Sequence, residues 1–187
     1  MSHRICPWWL GYLLTSPIRR LVHNPIKILS PFVHEGMTVL EPGPGMGFFT
    51  LDLAHLVGPA GKVIAVDVQP RMLEGLRRRA VKAGVLDLID LRQAQGNRMG
   101  LDDLEGTIDF VLAFAMVHEL SDPRAFFAES YQLLKPGRRL LFAEPRGHVK
   151  QQDFSATLEM VKSVGLFVES WPSVPRSWSA VLVKSNP

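Results

Sequence analysis

Apolar positions along the chain follow two rhythms. Short runs rich in apolar residues lie at about 38–41, Lys62 to Val66, Leu88 to Arg92, Ile108 to Phe114 and about 138–143, and they read as strands, the fourth almost continuously apolar. Between them, apolar residues recur at helical spacing. Phe48, Leu51, Leu53, Ala54 and Leu56 predict a helix over about 46–57, stopped by Gly58-Pro59. Further helices are expected from Pro70 to about Ala83 with Gly84 as stop, from Asp122-Pro123 through Leu134, and from Gln152 to Val164 ended by Gly165. Ahead of the first strand, Ile18, Leu21, Val22, Ile26 and Leu29 predict one helix from Pro17 to Leu29, with Ser16 as its cap and Pro25 weakening it. Leu166 to Trp171 and Ser177 to Lys184 read as two last strands, and the Pro172 to Arg176 segment has room only for a hairpin-like return.

Strands buried on both faces and alternating with helices mean a parallel sheet covered on both sides. The expected architecture is therefore α/β: a doubly wound, mostly parallel seven-stranded sheet with helices on both faces and an antiparallel strand near the edge. There is no internal repeat. Residues 1–35 read as an N-terminal lid or helix segment on a single domain at 36–187.

Composition narrows the class without naming a chemistry. The 187 residues suffice for one domain with a real core. One cysteine excludes a disulfide framework, and no apolar run is long enough for a spanning helix. Pro7 and Gly11 interrupt the apolar start and no small-residue cleavage site follows, so no signal peptide is expected and the cytoplasm is the expected location. A net charge of +3 does not call for nucleic acid. The run Arg77-Arg78-Arg79, with Arg71 and Lys82, reads as a solvated helix face. Cys6 with His3 is too little for a metal site, and no metal is expected.

The chemistry concentrates where the first strand runs into Glu41-Pro42-Gly43-Pro44-Gly45-Met46-Gly47. A strand, a glycine turn and a helix let a ligand approach bare backbone at a helix N-terminus. The second strand ends in Asp67, twenty residues after Gly47, where a carboxylate can accept from both hydroxyls of a ribose. Asp67 also suits the start of the helix opened by Pro70. A dinucleotide would place a pyrophosphate at the turn, and Glu41 would repel it. The same carboxylate favours a cationic amino-acid group. That combination points to S-adenosylmethionine, which has a ribose, an ammonium and a sulfonium but no phosphate.

Four segments then carry a resemblance. Val39 to Gly47, Val63 to Asp67, Ile108-Asp109-Phe110-Val111 through Val117-His118-Glu119-Leu120, and Leu133-Leu134-Lys135-Pro136-Gly137-Arg138-Arg139-Leu140 resemble, in order, the motifs of the class I, Rossmann-like S-adenosylmethionine-dependent methyltransferases. The match covers residues 36–145, and its flavour is the small type 11, quinone-methyltransferase-like group. The resemblance implies that Gly43, Gly45 and Gly47 line the methionine end of the cofactor, with Glu41 near its ammonium. It implies Asp67 on the ribose, Val68 or Gln69 flanking the adenine, and Ala113 near the cofactor through its backbone. Where the family often has Gly-Asp-Ala, this chain has Gly96-Asn97-Arg98, so Asn97 would meet the adenine amino group through its side-chain oxygen. The product would be S-adenosylhomocysteine.

Methyl transfer needs a proton acceptor only if the nucleophile carries a proton. His118 and His148 are the candidates, against cofactor-shell packing for His118 and plain surface for His148. Glu119 reads as a helix-flanking carboxylate. Glu144 and Arg146 share the loop region expected to face the substrate. Trp8, Trp9 and Tyr12 suit a flat or apolar acceptor, or packing against the domain or a second copy in a homodimer. The expected function is methyl transfer to a small or lipophilic molecule. The alternatives are a non-catalytic S-adenosylmethionine-binding module and a methyltransferase acting on protein or RNA. A nicotinamide-dependent oxidoreductase is disfavoured by Glu41 and the glycine spacing.

Overall fold

The computed structural model describes residues 16–95 and 98–185. Two short helices, α1 (Pro17–Val22) and α2 (Pro25–Leu29), precede the sheet. Then come β1 (Thr38–Pro42), α3 (Thr50–Val57), β2 (Lys62–Asp67), α4 (Pro70–Ala83), β3 (Ile89–Gln93), β4 (Ile108–Phe114), α5 (Pro123–Leu133), β5 (Leu134–Pro145), α6 (Gln151–Lys162), β6 (Leu166–Ser170) and β7 (Ser177–Lys184). The seven strands lie in the order β3-β2-β1-β4-β5-β7-β6. The first five are parallel, and β7 runs antiparallel to both β5 and β6. The doubly wound sheet expected from the alternation is thus the one observed.

Alternate positions along each strand feed opposite faces. From β4, Phe110 and Leu112 join Val39, Leu53, Leu76, Ile28 and Leu29 on the face covered by α2, α3 and α4. Val111 and Ala113 join Leu40, Phe127, Phe142, Phe154 and Leu158 on the face covered by α5 and α6. Each of the fully buried Leu and Phe side chains contributes about 1.5–3 kcal/mol relative to exposure. No described helix is long and apolar enough to cross a membrane.

Three boundaries differ from the sequence expectation by more than two residues. The segment Pro17 to Leu29 is two helices. Asn24 is extended (φ −81°, ψ 108°), as a residue before proline prefers, and its side chain accepts from Lys27 N–H at 3.2 Å to start α2. The helix expected from about 46 begins at Thr50, because Gly47 sits at φ +81° and belongs to the turn. Strand β5 begins early. Leu134 pairs with Ile108, the chain bulges through Lys135-Pro136-Gly137, and pairing resumes at Arg139 opposite Phe110.

Candidate functional site

Strand order reverses between β1 and β4, so connections leave their carboxyl ends in opposite directions and a cleft opens there. Its volume is about 570 Å³. One wall is the glycine turn. Gly43 N–H donates to Val66 O at 2.8 Å and Gly45 N–H to Asp67 Oδ2 at 3.3 Å, which stitches the turn to β2. Arg79 of α4 donates to Met46 O. Of the basic run on α4, Arg77 and Arg78 are exposed as expected, whereas Arg79 is partly buried and holds the turn. The three glycines have positive φ but different surroundings. A Cβ on Gly47 would overlap Leu76 Cδ1, and one on Gly43 would lie 3.1 Å from Met116 Cβ. One on Gly45 would meet nothing within 4 Å. Gly45 is therefore the open side of the cradle.

Two carboxylates attend the turn. Asp67 lines the cleft and also accepts from Gln69 N–H at 2.9 Å. Burial raises its pKa to about 6, with the Gln69 and Gly45 N–H groups holding it lower than burial alone would. Glu41 lies behind the turn, 4% exposed. Its Oε2 has no hydrogen-bond partner, and neither has the nearby Thr50 hydroxyl. Burial raises Glu41 to about 7, against the Arg19 charge and the Thr50 hydroxyl, which is near enough to favour the carboxylate without meeting hydrogen-bond geometry. Val68 and Gln69 follow Asp67 on the wall, and Val68 is 42% exposed.

The far wall is assembled from distant segments. After β4 it is formed by Phe114, Ala115 and Met116, with Ala113 fully buried behind them. Ala115 has φ +55°, a strained value for a residue with a Cβ. The short 3-10 turn Val117–Glu119 then presents His118. His118 Nδ1 lies 2.5 Å from Glu144 Oε2, and its backbone N–H donates to Glu144 Oε1 at 3.2 Å. Glu144, buried on β5, thus stands behind His118 and is not on the cleft surface. The carboxylate raises the His118 pKa against the effect of burial. His148 lines the cleft, its ring edge-on to that of His118 at 5.5 Å. Arg146 turns away, with its guanidinium 4.4 Å from the Trp178 ring and Nε donating to Ser177 O at 3.1 Å.

Several cleft residues had no signal in the sequence. Arg19 of α1 stacks over Phe48 at 4.3 Å, and His23 meets Phe114 edge-on at 5.3 Å and contacts Pro175 O at 2.8 Å through Nε2. Burial lowers the His23 pKa, which favours the neutral ring. Glu129 of α5 accepts from Met99 and Gly100 N–H groups, both at 3.0 Å, and so fixes the loop after β3. Trp8, Trp9, Tyr12 and Asn97 lie outside the described residues. Among the described residues no cluster of three or more His, Cys, Asp or Glu side chains could hold a metal.

The profile of a family described as a methyltransferase domain matches residues 40–142. The chain belongs to this family. It is 41% identical over 110 residues to a demethylmenaquinone methyltransferase of Symbiobacterium thermophilum, covering 58% of this chain and 43% of that one. It is 32% identical over 112 residues to the ubiquinone/menaquinone biosynthesis C-methyltransferase UbiE of Pasteurella multocida, covering 60% and 41% respectively. The match thus spans under half the length of these relatives. Among solved structures, a methyltransferase of Aquifex aeolicus described as S-adenosylmethionine-dependent superposes with TM-score 0.86 at 25% identity, over 96% of this chain and 100% of that one. A Methanococcus maripaludis structure shares the fold at TM-score 0.77 and 16% identity, over 100% and 98%. The family, together with the likeness to the Aquifex aeolicus structure, places the chain among the S-adenosylmethionine-dependent methyltransferases.

Proposed function

We propose that the chain moves a methyl group from S-adenosylmethionine to a small, lipophilic, ring-bearing acceptor of the quinol or phenol class. The observation that carries the reading is the pairing, in one cleft, of a glycine cradle open at Gly45 with Asp67 and exposed Val68 on one side and an aromatic wall on the other. The residues fit the cofactor on three counts. Bare backbone at Gly43, Gly45 and Gly47 accommodates its amino-acid end, and the unpartnered Oε2 of Glu41 behind the turn suits an ammonium. Asp67 has acceptor capacity for ribose hydroxyls, and Val68 with Gln69 covers an adenine. When bound, S-adenosylmethionine supplies a methyl group already activated on a cationic sulfur.

What the chain itself does is hold and exclude. Phe114, Met116 and Phe126 keep water from the centre of the cleft, and Arg19 and His23 close its rim. Such positioning is the main demand of a displacement with an activated donor. His118 and His148 border the acceptor side. The relatives named for demethylmenaquinone and ubiquinone support a ring-bearing acceptor. A cytoplasmic setting belongs to the same proposal.

Calorimetry with S-adenosylmethionine, S-adenosylhomocysteine and NAD is the test. Micromolar binding of the two adenosyl-sulfur compounds and none of NAD is expected. Binding of NAD alone would sink the reading.

A further inference from the structure

We propose that Glu144 and His118 form a proton-accepting pair for the methyl acceptor, and that His148 passes the proton to solvent. The acceptor atom is then one that carries a proton at rest, a hydroxyl or an acidified carbon, and not a tertiary amine or a thioether. The inference rests on the methyl-transfer reading above and adds to it the chemical character of the atom that is methylated.

The geometry begins at the ends of β4 and β5. Ala115 N–H donates to Ala143 O at 2.8 Å, which locks the turn after β4 against the residue preceding Glu144. The positive φ of Ala115 redirects the chain at that point, so the turn carrying His118 comes down on the Glu144 carboxylate. Glu144 is 2% exposed, and a carboxylate taken out of water is costly unless it is paired. Both of its oxygens are used on His118, one by the ring and one by the backbone. An ion pair serving only to join two strands would not need to grip one residue twice. The double contact fixes the orientation of the ring as well as its position.

A carboxylate on Nδ1 sets the tautomer, because that nitrogen must carry the proton. Nε2 is left as the basic nitrogen, and it makes no hydrogen bond to any described residue. The ring lines the cleft. The titratable groups facing it are Glu144 from β5, Glu119 from its own turn and His148 from the loop after β5. The two carboxylates favour the imidazolium, Glu144 more strongly. His148 is exposed, and its ring stands 5.5 Å from that of His118, on the path from the cleft to water.

The balance is simple. The bond between the acceptor atom and its hydrogen breaks, the proton goes to His118 Nε2, and the electron pair left behind takes the methyl. The carbon–sulfur bond pair stays on sulfur as a thioether. One proton per turnover leaves through His148, so no oxidant, reductant or metal is required. Glu144 acts through His118 and is a positioning residue.

Two measurements on the full chain test this. The first is the NMR titration of the His118 ring with S-adenosylhomocysteine present. A strongly downfield Nδ1 proton is expected in the wild type, with the ring titrating above the ordinary histidine value. Both features should be lost in Glu144→Gln and largely restored in Glu144→Asp. The second is label transfer from S-adenosylmethionine to naphthalene-1,4-diol as probe. His118→Gln should lower kcat by about 100-fold with little change in cofactor affinity, the lower end of what a general base contributes. Glu144→Gln should lower kcat by roughly 30-fold and move the acidic limb of the pH–rate profile to lower pH, while His148→Gln should cost a few-fold. His118 titrating alike in wild type and Glu144→Gln would overturn the pair, and so would His118→Gln with unchanged rate and pH profile. Cofactor binding by a wild type that leaves the diol unmethylated would overturn the acceptor class. No binding of S-adenosylmethionine at all would overturn the methyl-transfer reading itself.

Discussion

The two halves of the cleft, which the proposed function assigns to cofactor and acceptor, are built differently. The cofactor half is local and made largely of backbone: turn amides, three positive-φ glycines, and one carboxylate at the end of the next strand. The acceptor half is made of side chains that meet only when the sheet is complete. Glu144 reaches His118 across 26 residues, and His23 reaches Pro175 O across 152. The halves also differ in charge. The cofactor half buries acids whose pKa values rise, to about 7 at Glu41 and about 6 at Asp67. The acceptor half sets histidines in opposite directions, His118 raised by a carboxylate and His23 lowered by burial. Under the proposed reading, one half receives a cation and a sugar and the other handles a proton.

Substitutions on the two sides should separate accordingly. The largest effect is expected within the turn. Gly47→Ala places a Cβ on Leu76 at a φ of +81°, and should cost about 2–4 kcal/mol of stability and abolish cofactor binding. Gly45→Ala meets open space and should cost only about 1 kcal/mol, yet still weaken the cofactor by crowding it. Equal melting temperatures for the two variants would contradict the packing described here. Asp67→Ala should weaken S-adenosylmethionine by about 10–100-fold in calorimetry, the loss expected for hydrogen bonds to a charged group. An unchanged affinity refutes the ribose assignment.

Glu41 makes a prediction of opposite sign for stability and binding. Its folded pKa, about 7, exceeds the ordinary 4.5, so its contribution to stability is fully present below about 4.5 and lost as pH rises through about 7. Glu41→Gln should therefore raise stability by about 1–3 kcal/mol at pH 8, with the gain fading near pH 4.5, while lowering cofactor affinity. Denaturant melts at the two pH values check it, and a variant destabilised at pH 8 would show that the charge is compensated. In the wild type, affinity for S-adenosylmethionine should rise between pH 6 and pH 8 as Asp67 and then Glu41 ionise; a flat profile counts against both roles. The smallest effect should come from the rim. His23→Ala should leave cofactor affinity within about twofold and raise the acceptor KM several-fold, as loss of one neutral contact implies. A larger loss of cofactor than of acceptor binding would place His23 in the wrong half.

This contrast also explains what could be read from the sequence. The turn at Gly43, Gly45 and Gly47, Asp67 and the strand–helix alternation depend on neighbours within about one strand–helix unit, where spacing carries the information. The antiparallel β7 followed from the short Pro172–Arg176 return for the same reason. Arg19 and His23 looked like ordinary positions on a helix, since nothing near them reports that α1 will border a cleft. Glu144 was legible as a polar residue after the fifth strand, but its burial behind His118 depends on the register of β4 against β5. Asn24 before Pro25 was a local signal for the split between α1 and α2, outweighed by the apolar spacing that continues through it.

The bond between His23 and Pro175 joins the residue just after α1 to the segment just before the last strand. It has a consequence for the order of assembly. During synthesis the glycine turn and its strand pair are complete while most of the chain is still to come, but this end of the rim cannot close until the residues around Pro175 have emerged. Loop closure over so long a separation belongs to the slow, late part of folding. The glycine turn is thus an early structure and the opposite wall of the cleft, the proposed acceptor side, a late one. A cut or slip near Pro175 would leave a protein able to hold its cofactor in a chamber with an open side.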